Sequence, residues 1–339
     1  MNQKVLFLLA SLFTVSAYAQ IGGRSTYQFL NLVNNPRQAA LGGKTVTNYD
    51  YDPIQGLFNP AAINPKMDNQ LSINYNNYIG DVNYGTVAYA YLWDRRTQVI
   101  HAGITYINYG NFDGYDEQGN ATGEFGGGDV AVSVGHARNI PFTDFHVGAN
   151  VKLISSKLEQ YSSFGVAVDI GLMYHYEEWD LQVTGVARNL GTQITPYDIE
   201  LEQLPFELIF GASQILNNIP LRWHFTLENM QRWNVAFSNP DRETTDLEGT
   251  VTKENINFFD HALRHIIIGV ELFPESAFNI RLGYNFRRGE ELRIVERRAF
   301  AGISAGFGIK LNKLRLSYAY SKYNSAAASS FFGINIDLQ

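Results

Sequence analysis

The chain has 339 residues, 45% of them hydrophobic and only 17% charged, with a formal net charge of -7 and no cysteine. Water-soluble domains usually carry about 25% charged residues, and nucleic-acid binding needs a concentrated basic surface, so neither class fits. A disulfide framework and Cys-based zinc or redox centres are excluded with the cysteines. At the N-terminus, Lys4 precedes an apolar stretch from Val5 to Val15 and then Ala17-Tyr18-Ala19. That order reads as a secretory signal peptide over 1–19, with the mature chain starting at Gln20. An apolar run of about ten residues is half of what a spanning helix needs, about twenty. No cysteine follows the cleavage site, so a lipid anchor is not expected there. No later run is long enough for a helical span, so a membrane location requires strands.

Residues 20–69 lack alternation. Asn35-Pro36-Arg37 followed by Gln38-Ala39-Ala40-Leu41-Gly42 predicts one short helix, with Pro at its start and Gly as its stop. Asp52-Pro53, Asn59-Pro60 and Asn64-Pro65 then punctuate an irregular stretch. Tyr27, Phe29, Leu30, Leu32, Ile54, Leu57 and Phe58 give it more apolar surface than a disordered tail exposes. A segment folded into a barrel lumen as a hatch accounts for both properties.

From about residue 70 to the end, apolar residues recur every second position. Phe164, Val166, Val168, Ile170, Leu172 and Tyr174 alternate with Gly165, Ala167, Asp169, Gly171 and Met173. Phe278, Ile280, Leu282, Tyr284 and Phe286 alternate with Asn279, Arg281, Gly283 and Asn285, and Leu314, Leu316, Tyr318 and Tyr320 with Arg315, Ser317 and Ala319. Such runs are strands, and at about ten residues or more they have membrane-crossing length. The runs number about fourteen, starting near Gln70, Val82, Thr97, Gly128, Asp144, Ser162, Trp179, Pro205, Leu221, Ala262, Phe278, Phe300, Leu314 and Phe331. Tight turns (such as 141–143 and 312–313) alternate with connections that include four long ones: 110–127, 191–204, 238–261 and 289–299. The expected fold is therefore all-β, a transmembrane antiparallel barrel over 70–339 with 20–69 as hatch. Short turns and termini are expected in the periplasm and long loops outside the cell. Polar inward residues such as Asp169, Arg281 and Arg315 then need partners in the lumen.

Three motifs suggest chemistry and are read as structural. Gly302-Ile303-Ser304-Ala305-Gly306 matches a nucleophile elbow, but that chemistry needs a strand-to-helix turn presenting Ser to a His base, and here the motif sits within a strand. His261 and His265 have the spacing of two zinc ligands on a helix but are expected across a loop–strand junction. Asn120-Ala121-Thr122 matches a glycosylation sequon of the kind chance supplies. No catalytic, metal or cofactor residue is assigned. Two charged loops are candidate contact surfaces: Asp241, Glu243, Asp246 and Glu248 with the apolar pair Phe258-Phe259 for a protein partner, and Arg287, Arg288, Arg297 and Arg298 for lipopolysaccharide phosphates or a partner.

Several stretches also resemble a known family. Gly22-Gly23-x-Ser25-Thr26-Tyr27-x-Phe29-Leu30, Arg37-Gln38-Ala39-Ala40-Leu41-Gly42-Gly43, Asn59-Pro60-Ala61, Tyr161-Ser162-Ser163-Phe164-Gly165 and Leu204-Pro205-Phe206 look like the PorV/PorQ family of outer-membrane components of the type IX secretion system. That family is similar to the FadL-type fatty-acid transporters, fourteen-stranded barrels with an N-terminal hatch that share the Asn-Pro-Ala element. The resemblance implies a non-enzymatic anchor in a surface attachment complex with PorZ-, PorU- and PorV-like partners, serving cargo processing and its linkage to anionic lipopolysaccharide. The alternative is a FadL-like diffusion channel for hydrophobic small molecules. A lumen lined by apolar residues would favour the channel; a lumen filled by the hatch and ion pairs would favour the anchor.

Overall fold

The computed structural model describes residues 25–94, 98–237, 244–245, 251–252, 256–292, 302–323 and 328–339. The expected signal peptide lies outside them. The strands are β1 (Gln70–Ile79), β2 (Val82–Asp94), β3 (Gln98–Tyr115), β4 (Ala121–Asn139), β5 (Phe145–Leu158), β6 (Tyr161–Tyr176), β7 (Leu181–Thr195), β8 (Glu207–Ile215) and β9 (Leu221–Leu227). There follow β10 (Thr244–Thr245), β11 (Val251–Thr252), β12 (Ile266–Leu272), β13 (Phe278–Asn285), β14 (Ile303–Leu311), β15 (Leu314–Ser321) and β16 (Ser329–Asp337). Strands β10 and β11 pair only with each other; the other fourteen form one closed barrel.

Closure is made by β1 against β16, antiparallel from Gln70 opposite Asp337 to Asn77 opposite Ser330. Every other wall strand pairs with its neighbours in chain order, β9 meeting β12 across the long connection. Hydrocarbon offers backbone groups no hydrogen bonds, so a sheet within it must leave no edge. No helix among the described residues is long and apolar enough to cross a membrane.

Period two decides which side chains meet lipid. Along β5, Val147, Ala149, Val151 and Leu153 face out, whereas His146, Asn150, Lys152 and Ser156 are buried inside. The same inversion holds for β6, where Ile170 and Leu172 are exposed and Asp169 and Met173 buried. The chain is thus apolar outside and polar inside.

The wall is uneven. Strands β3 and β4 have 18 and 19 residues, β9 and β12 only 7 each. Three expectations are corrected here. The stretch 110–127 is not a loop: it extends the β3–β4 ladder, with Asn111 opposite Gly126 and Tyr115 opposite Ala121. Its glycines hide the alternation, since they present no side chain to either face. And Ala262 does not start a strand. It lies in a helix, Phe258–Arg264, set by a capping box in which Asn257 Oδ1 accepts from Asp260 N (3.1 Å) and Asp260 Oδ2 accepts from Asn257 N (2.9 Å). Phe286 likewise opens a short helix, Phe286–Glu291, rather than extending β13. We call the helices α1 (Pro36–Ala40), α2 (Phe258–Arg264) and α3 (Phe286–Glu291).

The lipid face can be tested at Val151, halfway along β5 and 54% exposed. Val151→Arg is expected to destabilise the barrel by about 2–4 kcal/mol, read as a lower urea midpoint in lipid and loss of the heat-modifiable band on gels. An unchanged midpoint would mean that this face does not meet hydrocarbon.

Candidate functional site

The lumen is occupied by residues 25–69, whose local structure follows from one repeated device. Asn35, Asp52, Asn59 and Asn64 each precede a proline, and each side chain accepts a backbone N–H two residues on: Arg37 N at 2.7 Å, Ile54 N at 3.1 Å, Ala61 N at 3.0 Å and Lys66 N at 2.9 Å. Proline suits the first helical position because its missing N–H would have no partner there and its φ is preset. The result is α1 and three 3₁₀ turns in succession. Gly42 (φ 99°) and Gly43 (φ 140°) follow α1 in the left-handed region, where a side chain is strained.

Asn59, Pro60 and Ala61 are all buried. The Asn59 amide caps its own turn and also donates to Val46 O (2.7 Å) and Thr184 Oγ1 of β7 (3.0 Å). The wall approaches this turn without side chains: a Cβ on Gly148 of β5 would sit 2.3 Å from Pro60 O. Tyr27, Phe29, Leu30 and Val33 pack with Tyr84, Ile107, Ile154 and Phe331 of the wall. Burial of each large apolar side chain contributes about 1.5–3 kcal/mol.

Ion pairs fix the segment in register with the wall. Glu271 of β12 accepts from Arg37 Nη2 at 2.6 Å and from Arg281 Nε of β13 at 2.8 Å, while Arg37 also pairs with Asp50. Lys44 reaches Glu207 of β8 at 2.6 Å, and Arg188 of β7 donates to Leu30 O (2.9 Å) while lying over the Phe58 ring at 4.0 Å. Within the wall, Lys152 pairs with Asp169 at 2.6 Å. Arg315 lies over the Tyr51 ring at 3.6 Å. The inward Asp169, Arg281 and Arg315 are thus all partnered. At the short-turn end, Arg222 donates to Asp180 at 2.7 Å in the β6–β7 connection. Burial would raise the Asp180 carboxyl, but the hydrogen bond from His175 and the Arg222 guanidinium hold it down at about 2.

A cavity of about 380 Å³ lies at the short-turn end, walled by charged groups including Asp50, Lys66, Asp180, Arg222, Glu275 and Lys310. It is not an apolar chamber.

At the opposite end the sequence-derived candidates separate. Asp241, Glu243, Asp246, Glu248, Arg297 and Arg298 lie outside the described residues. Phe258 and Phe259 start α2 and are 64% and 73% exposed, with Trp233 against Phe258 at 4.8 Å between ring centroids. Arg287 pairs with Glu291 at 2.9 Å on the surface of α3. Arg288 turns inward, donating to Ser321 Oγ (2.8 Å) and Gly42 O and lying over the Tyr323 ring, so its guanidinium serves the lumen segment. Sequence reasoning missed Glu207 and Glu271 as anchors for the segment, although a lone acid in an otherwise apolar strand is itself a signal. It also missed Trp233, which has no periodic context, and Ile199 and Leu201, whose short alternation with acids falls in a connection.

The motifs with apparent chemistry resolve by position. Ser304 is buried within β14, opposite Gly283 and Ser321, so no strand-to-helix turn presents it. His261 and His265 span α2 and its C-cap, not a loop–strand junction as expected. Three of their nitrogens are engaged: His261 Nδ1 accepts from Ala236 N at 3.2 Å, and the His265 nitrogens face Glu228 O (2.7 Å) and Trp233 O (3.2 Å).

Two measurements test this lumen architecture. Glu271→Ala leaves Arg37 and Arg281 buried without their shared carboxylate and is expected to cost about 3–5 kcal/mol, seen as a lower unfolding midpoint and faster proteolysis of residues 25–69. Unchanged stability would mean that the pair does not hold the segment. Asp180 has a depressed pKa, so its contribution is complete above the ordinary 3.8 and is lost as pH falls through about 2. Asp180→Asn should therefore lower the midpoint at neutral pH and flatten its fall across that acid window; a titration curve parallel to the parent would refute this.

The deltaS2S3 mutant of the TodX monoaromatic hydrocarbon channel superposes with a TM-score of 0.52 at 11% identity, covering 89% of this chain and 97% of that one. A Pseudomonas aeruginosa FadL homologue gives 0.50 at 9% identity, covering 90% and 98%. At such identities the likeness is one of fold. No curated protein sequence matches. Residues 131–335 match the model of the family described as type IX secretion system membrane protein PorP/SprF. That match spans more than half of the chain, which therefore belongs to the PorP/SprF family of type IX secretion membrane barrels.

Proposed function

We propose that this protein is a PorQ-like, non-enzymatic anchor of the type IX attachment complex: a barrel in the outer membrane that holds a PorZ-like surface partner where PorU- and PorV-like components process cargo and link it to anionic lipopolysaccharide. The observation that carries the reading is the filled lumen. Residues 25–69 are tied to the wall by Arg37–Glu271–Arg281 and Lys44–Glu207, and the cavity at the short-turn end is walled by charge. A diffusion path for hydrophobic solutes needs an apolar chamber and a segment that yields; buried ion pairs broken one-sidedly cost about 3–5 kcal/mol each, which makes the segment a fixture. In this reading residues 1–19 direct export, the short turns and termini face the periplasm, and the longer connections face outward. Phosphates of lipopolysaccharide are met by Arg297 and Arg298, away from the acidic rim, since Arg287 is taken by Glu291.

The FadL-like channel remains the second reading, favoured by the superposition on a hydrocarbon channel. One experiment separates them. Replacing residues 238–257 by a tight turn is expected to release the PorZ-like partner into the medium at constant barrel level, whereas trimming the β3–β4 hairpin tip at 116–120 leaves it cell-bound. Uptake of a labelled hydrophobic solute should be unchanged by either. Partner retention in both deletions, together with uptake that rises when Glu271→Ala loosens the segment, would favour the channel.

A further inference from the structure

Two connections meet at the end of the barrel away from the termini. Between β7 and β8, Asp198-Ile199-Glu200-Leu201-Glu202 alternates acid with apolar, all five are exposed, and no Lys or Arg occurs from 196 to 206. Ile199 is 88% and Leu201 63% exposed. Between β9 and β12, Trp233, Phe258, Phe259 and Leu263 are exposed apolar side chains, with Asp260 beside them. Gln231 joins the two: its side chain donates to Phe206 O at 2.9 Å and accepts from Leu208 N at 3.0 Å. The capping box and the Trp233–Phe258 and Phe258–Phe259 ring contacts order the second part. The wall beneath is low, β9 and β12 having 7 residues each.

Large apolar groups left in water across two adjoining connections mark a contact surface, and their charge restricts what covers it. Among the described residues the nearby cations are engaged: Arg264 is buried and donates to Phe237 O at 2.9 Å, Arg287 pairs with Glu291, and half-buried Arg232 has its own partner. The exposed charge among these residues is acidic. A leaflet rich in phosphate would be repelled by it, and a second copy would set acid against acid. We infer that this rim is the docking surface for a protein partner whose face carries Lys or Arg around apolar side chains. The inference rests on the anchor reading and names the chemistry of the surface partner. Acidic residues would steer the encounter and fix orientation, while the Trp233–Phe258–Phe259 cluster and Ile199 supply the desolvated contact.

The test places p-benzoylphenylalanine at position 199 or 259 of the full-length protein in intact cells, with position 170 on the lipid face as control. Irradiation is expected to give protein adducts from 199 and 259 but not from 170, joined to peptides of net positive charge. Adduct yield should fall roughly tenfold between low and about 0.5 M salt, and by a similar factor in Glu200→Lys/Glu202→Lys, with heat-modifiable migration unchanged. Adducts with lipopolysaccharide, with a second barrel or within the same chain would overturn the proposal, as would yields indifferent to salt and charge reversal. If both positions stay silent while the surface partner is still retained through the barrel, the rim fails and the anchor stands. If the partner is not retained by the barrel at all, the anchor reading fails with it.

Discussion

In hydrocarbon every backbone N–H and C=O must find its partner within the protein, and the fold follows from that constraint. A helix satisfies it alone, but no described helix here is long or apolar enough to cross a membrane. Strands satisfy it only by closing, which β1 and β16 accomplish through eight consecutive residue pairs. Closure then creates a second problem. A fourteen-strand wall with alternating side chains turns Lys152, Asp169, Arg188, Glu271 and Arg281 inward, away from both lipid and bulk water. Charges so placed must be paired or pay a large desolvation penalty.

Residues 25–69 meet that demand. Arg37, Lys44 and Asp50 come from the segment, and Glu207, Glu271 and Arg281 from the wall, so part of the ionic complement of each lies in the other. The same exchange governs packing, with Gly148 leaving room for the Pro60 carbonyl and Gly283 for the backbone of Leu41 and Gly42. Wall and segment are thus two halves of one core, which explains why the interior resembles a soluble protein's more than a pore's.

The two ends of the barrel serve different physical purposes. At the short-turn end the interior opens into a charged cavity, held by the Asp180–Arg222 pair. At the other end the wall drops at β9 and β12, and the chain supplies ordered aromatic residues above it. The likeness to the TodX channel and the FadL homologue is one of the wall; the filled lumen and the apolar, acidic rim are features of this chain.

The sequence by itself determined the local rules. Alternation in β5, β6, β13 and β15 told lipid face from lumen face, and the Asn35-Pro36, Asp52-Pro53, Asn59-Pro60 and Asn64-Pro65 pairs set turns whose caps need only neighbouring atoms. Where side chains were missing or the period changed, it misled. Glycines at 123 and 126–128 concealed the extension of β4, and the apolar residues from Ala262 onward read as a strand although Asn257 and Asp260 cap a helix that runs to Arg264. Tertiary structure alone decided which charges meet. Arg37 and Glu271 are 234 positions apart, and several lumen acids are equivalent in one dimension; only closure of the wall brings one of them within 2.6 Å. It also decided that Arg288 turns inward to Gly42 while Arg287, its neighbour in the chain, stays at the surface, because adjacent residues on a short helix point about 100° apart and the lumen lies on one side.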